Sequence, residues 1–168
     1  MPSLIRRTSV AAVVLASGAV LSLAACSGPQ AARPAATAAQ PSSAGQEALA
    51  SLRPWLGTYH HDGHDYLRQG ALAARLQALL GPEHYAALLA NMQVAGPLSQ
   101  EGGVWFVTGN RPHQGGSEQA AIAIDPQRDA LRVWLRHRGR AQEFTDPQGA
   151  VVPWPQDVRT LLQNAGEG

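Results

Sequence analysis

Cysteine occurs once in these 168 residues, at Cys26, and lysine does not occur at all. A lone cysteine excludes an internal disulfide, and its place near the start excludes a cysteine nucleophile or a cysteine-ligated metal in the body of the chain. The fold must therefore be held by its core alone. All 13 basic side chains are Arg; removing Arg6 and Arg7 leaves 11 against 12 Asp+Glu, a net charge of about −1 with His neutral. That balance argues against nucleic acid or an anionic membrane surface as a partner. No internal repeat is present. No Gly-x-Ser-x-Gly elbow and no His-Glu-x-x-His zinc motif occur, and Ser117, His113 and Asp125 are no more than neighbours in sequence. An enzyme is not expected, because a triad needs mutual geometry that sequence proximity does not supply. No cofactor is expected either.

Long apolar runs are also missing, with one exception. Arg6 and Arg7 precede an Ala/Val/Leu-rich region from about Val10 to Leu23, closed by Leu23-Ala-Ala-Cys26. This is too short and too weakly flanked for a membrane span and reads as a secretory signal over residues 1–25. The closing residues look like a bacterial lipobox, which implies lipidation of Cys26, and Ser27 resembles the pattern of lipoproteins sent to the outer membrane, facing the periplasm or the cell surface. Export implies an oxidising compartment. Residues 26–46 then form an Ala/Pro/Ser/Gln-rich tether with Arg33 its only charge, too polar to fold. As a coil it would hold the domain roughly 25 Å from the lipid. Residues 47–168 are sized for one domain with one core.

Within that domain Glu47–Leu56 is predicted to be one short helix. Asp65 is predicted to cap a second, carrying Leu67, Leu72, Leu76, Leu79 and Leu80. Gly81 ends it, and Pro82 opens a third with Tyr85, Leu88, Leu89 and Met92 on one face. Gly96-Pro97 closes the helical region. Strands follow at Val104–Val107, apolar throughout as a central strand should be, and at Glu118–Ile124, where Ala120, Ile122 and Ile124 share a face. Leu131, Val133 and Leu135 alternate with Arg132, Trp134 and Arg136, which predicts one core face and one solvated face with Trp134 covered by Arg stems. Arg138-Gly-Arg140 turns into a strand around Phe144, Asp146–Gly149 turns into a strand at Ala150–Val152, and Pro155 starts a terminal helix with Val158, Leu161 and Leu162. The sum is an α+β fold, an antiparallel meander packed against helices.

The richest local feature is Thr108-Gly-Asn-Arg-Pro-His-Gln-Gly-Gly-Ser117, a polar, Gly- and Pro-rich loop between two strands that holds His113 beside Arg111. A loop mounted on a sheet is well suited to present polar groups to a partner. It resembles the hallmark of the inhibitor of vertebrate lysozyme (Ivy-like) family, a loop reading Cys-Lys-Pro-His-Asp-Cys followed by Gly-Ser between two strands. Pro112, His113, Gly116 and Ser117 match. Asn110 and Gly115 stand where the two cysteines would be, Arg111 for Lys and Gln114 for Asp. The resemblance implies a sheet-and-helix fold whose loop enters the active-site cleft of a C-type lysozyme or related muramidase, with the His against the catalytic carboxyl groups. Carried over, Asn110, Arg111, Pro112, His113 and Gln114 are the partner-binding residues within Gly109–Ser117. Without a disulfide, the loop is expected to be ordered on binding.

A second cluster, Tyr59-His-His-Asp-Gly-His-Asp-Tyr66, brings His60, His61 and His64 close in sequence. Such tracts can bind metal, but Gly63 and the Asp residues read as a loop, and no known ligand spacing is present. Three readings stay open: an envelope lipoprotein that occludes a lysozyme, the same fold with another protein partner, and a metal-binding module on these histidines.

Overall fold

A computed structural model of the chain describes residues 48–166. The expected signal segment, the lipidation site Cys26 and the tether lie outside the described residues. Residues 48–50 are helical and a 3-10 turn covers Arg53–Trp55. The single helix expected over residues 47–56 is thus broken, since Pro54 lacks an N–H and is accommodated only in the first turn of the 3-10 segment. Helix α1 spans Gly70–Asn91. It starts later than predicted, because Asp65 does not cap it. The Asp65 carbonyl instead accepts from the N–H groups of Arg68 (2.9 Å) and Gln69 (2.8 Å), and its carboxylate accepts from the Arg68 guanidinium at 2.7 Å. That closes a tight turn from which Leu67 reaches the core. At Gly81 the backbone takes φ 67°, and Pro82 restarts the helix, as the sequence predicted.

Six antiparallel strands follow: β1 (Val94–Ala95), β2 (Ser99–Glu101), β3 (Val104–Asn110), β4 (Gln119–Asp125), β5 (Ala130–His137) and β6 (Arg140–Asp146); helix α2 (Gln156–Asn164) closes the described chain. The order is β1-β3-β4-β5-β6, with β2 also paired to β3. The meander is as expected. The short strands on either side of Gly96-Pro97 are not, and they share one edge of β3: β2 pairs with Val104–Phe106 and β1 with Gly109 and Asn110. The fold is α+β with the sheet packed against helices.

Alternation along the strands explains the layers. Trp105, Val107, Ala120, Ile122, Ile124, Leu131, Val133 and Leu135 face α1 and pack with Leu72, Leu76, Leu80, Leu88 and Met92. Each of the Val, Leu, Ile and Met side chains among them contributes on the order of 1.5–3 kcal/mol on burial. The opposite face, predicted to be solvated, is covered: Phe106, Ala121 and Trp134 pack under Val158 and Leu162 of α2. Trp134 is therefore core, and the Arg132 guanidinium lies instead above Trp154, at 4.3 Å. No strand forms at residues 150–152. Pro153 and Pro155 remove ladder donors nearby, and Val152 instead plugs a satellite cluster of Val104, Ala123 and Ala130 while Val151 stays 82% exposed. On the far side of the sheet β6 exposes Arg140, Gln142 and Glu143. Arg75 ties α1 to this end through Asp129 and Asp146, both at 2.7 Å. Among the described residues no helix is long and apolar enough to cross a membrane.

Candidate functional site

Strand β3 runs three residues further than the sequence suggested, because Gly109 pairs with Ala95 and Ala120, and Asn110 with Val94 and Gln119. Glycine is required at 109: a Cβ there would lie 2.8 Å from the Met92 sulfur and 2.9 Å from the Asn91 carbonyl oxygen, so the end of α1 sits directly on the strand. Asn91, fully buried, fastens that contact by donating its amide to the carbonyls of Gln119 (3.0 Å) and Arg136 (2.9 Å). The polar loop leaves the sheet from this fixed end.

The loop folds back on itself. The Arg111 N–H donates to the Glu118 carbonyl (3.1 Å) and the Gln114 N–H to the Arg111 carbonyl (3.1 Å), while the N–H groups of Ser117 and Glu118 both donate to the Gln114 carbonyl (3.0 and 2.9 Å). The Asn110 side chain donates to the Arg111 carbonyl at 3.1 Å. A Cβ built on Gly115 would lie 3.9 Å from that of Asn110, the separation typical of a disulfide. The two positions read as cysteine counterparts are thus neighbours. His113 takes φ 62°, a left-handed conformation that costs a non-glycine residue about 1–3 kcal/mol. Its ring and the Gln114 side chain are exposed, Pro112 is half-buried, and the imidazole makes no side-chain hydrogen bond among the described residues.

Glu118 is the residue that sequence reasoning missed. It is 4% exposed, at the foot of the loop. One carboxylate oxygen accepts from the Arg138 N–H at 2.7 Å, and the other from His137 Nδ1 at 2.9 Å. The Arg111 guanidinium stands 3.4 Å away. Burial pushes this carboxyl up, but the bonds from His137 and Arg138 and the charge of Arg111 outweigh it and hold it below the usual carboxylate range. Arg111 is therefore turned inward, with Gln114 and His113 left facing out. The neighbouring turn is laced to the loop as well, since the Gly139 N–H donates to the Ser117 carbonyl at 3.1 Å. One signal was present in the sequence: Glu118 shares the parity of Ala120, Ile122 and Ile124, so a carboxylate falls on the core face.

The histidine-rich segment is spent differently. His60 is buried and its Nε2 donates to the Met92 carbonyl at 2.9 Å, with Nδ1 3.6 Å from Asp65. His64 stacks on Trp55 at 3.6 Å between ring centroids and bonds to Thr58 at 3.1 Å. His61 alone is exposed beside Asp62. Among the described residues no group of three or more His, Cys, Asp or Glu side chains converges on a point where a metal ion could sit. His60, His61 and His64 thus do not come together as three ligands of one ion. The arginines around β5 are also largely engaged: Arg132 makes a bidentate pair with Glu143 (2.7 and 3.0 Å) and Arg136 donates to the Ala165 carbonyl.

No curated protein matches the chain, and no solved structure does. The profile of the inhibitor of vertebrate lysozyme (Ivy) family matches residues 71–168, which include the whole sheet, the loop and α2. A match over more than half of the sequence, on a sheet whose β3–β4 loop has this form, makes the chain a member of the family of inhibitors of vertebrate lysozyme.

Proposed function

We propose that this chain is a lipid-anchored envelope protein that blocks a lysozyme by inserting the loop of residues 111–117 into the enzyme's active-site cleft. The observation that carries the reading is His113, an exposed and unbonded imidazole on a loop tied down at both feet, in a member of a lysozyme-inhibitor family. A retaining lysozyme works with two carboxyl groups, one a proton donor and one ionised. Both are strong acceptors in a cleft shaped for sugar. A neutral His113 ring offers one N–H to them and a charged ring offers two. Gln114 adds an exposed amide. Catalysis has no part in this mechanism; the loop acts by occupying the space of the substrate. Acylation of Cys26 and the tether that follows would keep the domain within reach of the outer membrane, where an incoming lysozyme must pass.

The test is inhibition of cell-wall lysis by C-type, g-type and bacterial lysozymes, using the mature chain with Cys26→Ser to leave out the lipid. Inhibition of one class, lost in His113→Ala, is the expected result. Failure to inhibit any class at high micromolar protein would direct the search to another protein of the envelope.

A further inference from the structure

Nothing apolar holds the loop of residues 111–117. Pro112 is half-buried, while His113, Gln114 and Gly116 are exposed, and no residue of the loop belongs to a buried cluster. Its shape nevertheless includes a non-glycine residue at φ 62°, a conformation that persists only where the surroundings over-determine it. The backbone bonds within the loop do not reach the rest of the protein. The contacts that do reach it are few, and one of them, from Arg111, ends on a side chain that carries two further bonds. The Glu118 carboxylate joins the first residue of the loop (Arg111, 3.4 Å) to the end of β5 (His137, 2.9 Å) and to the β5–β6 turn (Arg138 N–H, 2.7 Å). The Arg138 N–H is offered from a left-handed residue, φ 54°. The turn then returns a bond from Gly139 to Ser117. One left-handed residue, Arg138, therefore donates to the buried carboxylate, and the loop that carries the other, His113, is joined to it through Arg111.

We propose that Glu118 is the positioning residue of this loop: a buried ionic staple that fixes the loop and the β5–β6 turn as one rigid element and presents His113 before any partner arrives. The proposal rests on the inhibitory reading for its consequence in binding, and on the contacts above for its physical content. A loop fixed in advance loses little entropy on association, so the staple acts on affinity without touching the partner. Expectation from the sequence was the opposite, a loop ordered only on binding.

The geometry supplies its own control. Because the Cβ positions of residues 110 and 115 lie 3.9 Å apart, a disulfide can be introduced there to hold the loop by other means. The experiment compares four mature chains carrying Cys26→Ser: the parent, Glu118→Gln, Asn110→Cys/Gly115→Cys, and the combination. Amide hydrogen exchange at Gln114, Ser117 and Glu118 is read beside inhibition of the lysozyme class that the parent blocks. Glu118→Gln is expected to speed exchange at those three amides by about tenfold or more while Ile122 in β4 stays protected, and to weaken inhibition by about tenfold. The cross-link in the Glu118→Gln background is expected to restore both. Unchanged exchange in Glu118→Gln overturns the proposal. So does a cross-link that restores slow exchange but not inhibition, because Glu118 would then act on the partner directly. If Glu118→Gln does not fold, His137→Leu removes one donor to the staple and is expected to speed the same amides by a smaller factor; no change there also overturns the staple. If the parent blocks no lysozyme, the inhibitory reading fails by itself, and the exchange arm still decides whether Glu118 holds the loop.

Discussion

Two segments of this molecule are rich in polar, ring-bearing residues, and they use them in opposite ways. Between Tyr59 and Tyr66 the imidazoles do the structural work: His60 is buried on the Met92 carbonyl and His64 lies flat on Trp55. Between Asn110 and Glu118 the imidazole is left free and a carboxylate does the structural work instead. The first segment has three histidines, two of them bonded or stacked within the fold; the second has one, held out in solvent. Density of functional groups in the sequence is thus a poor guide to which of them the fold leaves unbonded. On the proposed reading, the side chain that binds is one whose own hydrogen-bonding capacity is unspent while bonds at the foot of its loop hold it in place.

The contrast can be broken or sharpened by experiment. The largest effect is expected for His113→Ala, which should weaken inhibition roughly 30-fold or more, as truncation of an interface hot spot does, with the unfolding midpoint in urea nearly unchanged. Equal inhibition by this variant would remove the distinction between the loops. His60→Ala should do the reverse. It leaves the buried Met92 carbonyl without its donor and should cost about 1–3 kcal/mol in urea unfolding, with inhibition by the folded fraction as in the parent.

A subtler difference should appear with pH. The folded Glu118 carboxyl is held below its usual value of 4.5, so its contribution to stability is present above that pH and is lost as pH falls through the lower folded value. The stability gap between the parent and Glu118→Gln, followed by chemical unfolding from pH 7 down to 3, should therefore narrow below about pH 4.5. A gap that is constant across this range would mean the carboxylate is not stabilised by its partners. The smallest effect is a null one. Zinc at 100-fold excess should leave the thermal midpoint where it is, because a ligand stabilises only if it binds the folded state and His60, His61 and His64 do not converge. A rise of several degrees, abolished by His61→Ala, would revive the metal reading.

Periodicity read the core under α1 well because successive side chains of a strand point to opposite faces of the sheet, and Gly81-Pro82 broke the helix where glycine and proline usually do. Elements whose fate depends on partners distant in sequence were harder. Nothing local tells that α2 returns to cover Trp134, so β5 looked half solvated; the helix lies more than twenty residues downstream. Asp65 has the composition of a cap, yet Arg68 lies close enough to take its carboxylate first. The site was half visible. The Pro112-His113 pair and the Gly116-Ser117 pair carried the resemblance, whereas the inward turn of Arg111 and the staple at Glu118 depend on His137 and Arg138, some twenty residues away across a strand pair. Parity alone could have flagged Glu118 as a carboxylate facing the core.

The two ends of the sheet also have a bearing on self-association. A bare strand edge is a template on which a second molecule can add. Here one edge is occupied by the short strands β1 and β2 on either side of Gly96-Pro97, and the other, β6, presents Arg140, Gln142 and Glu143 with Arg75 drawn across its end to Asp146. Neither edge offers a flat apolar ladder. Copies of the domain at high concentration would then lie side by side without zipping into aggregates, each keeping its loop available.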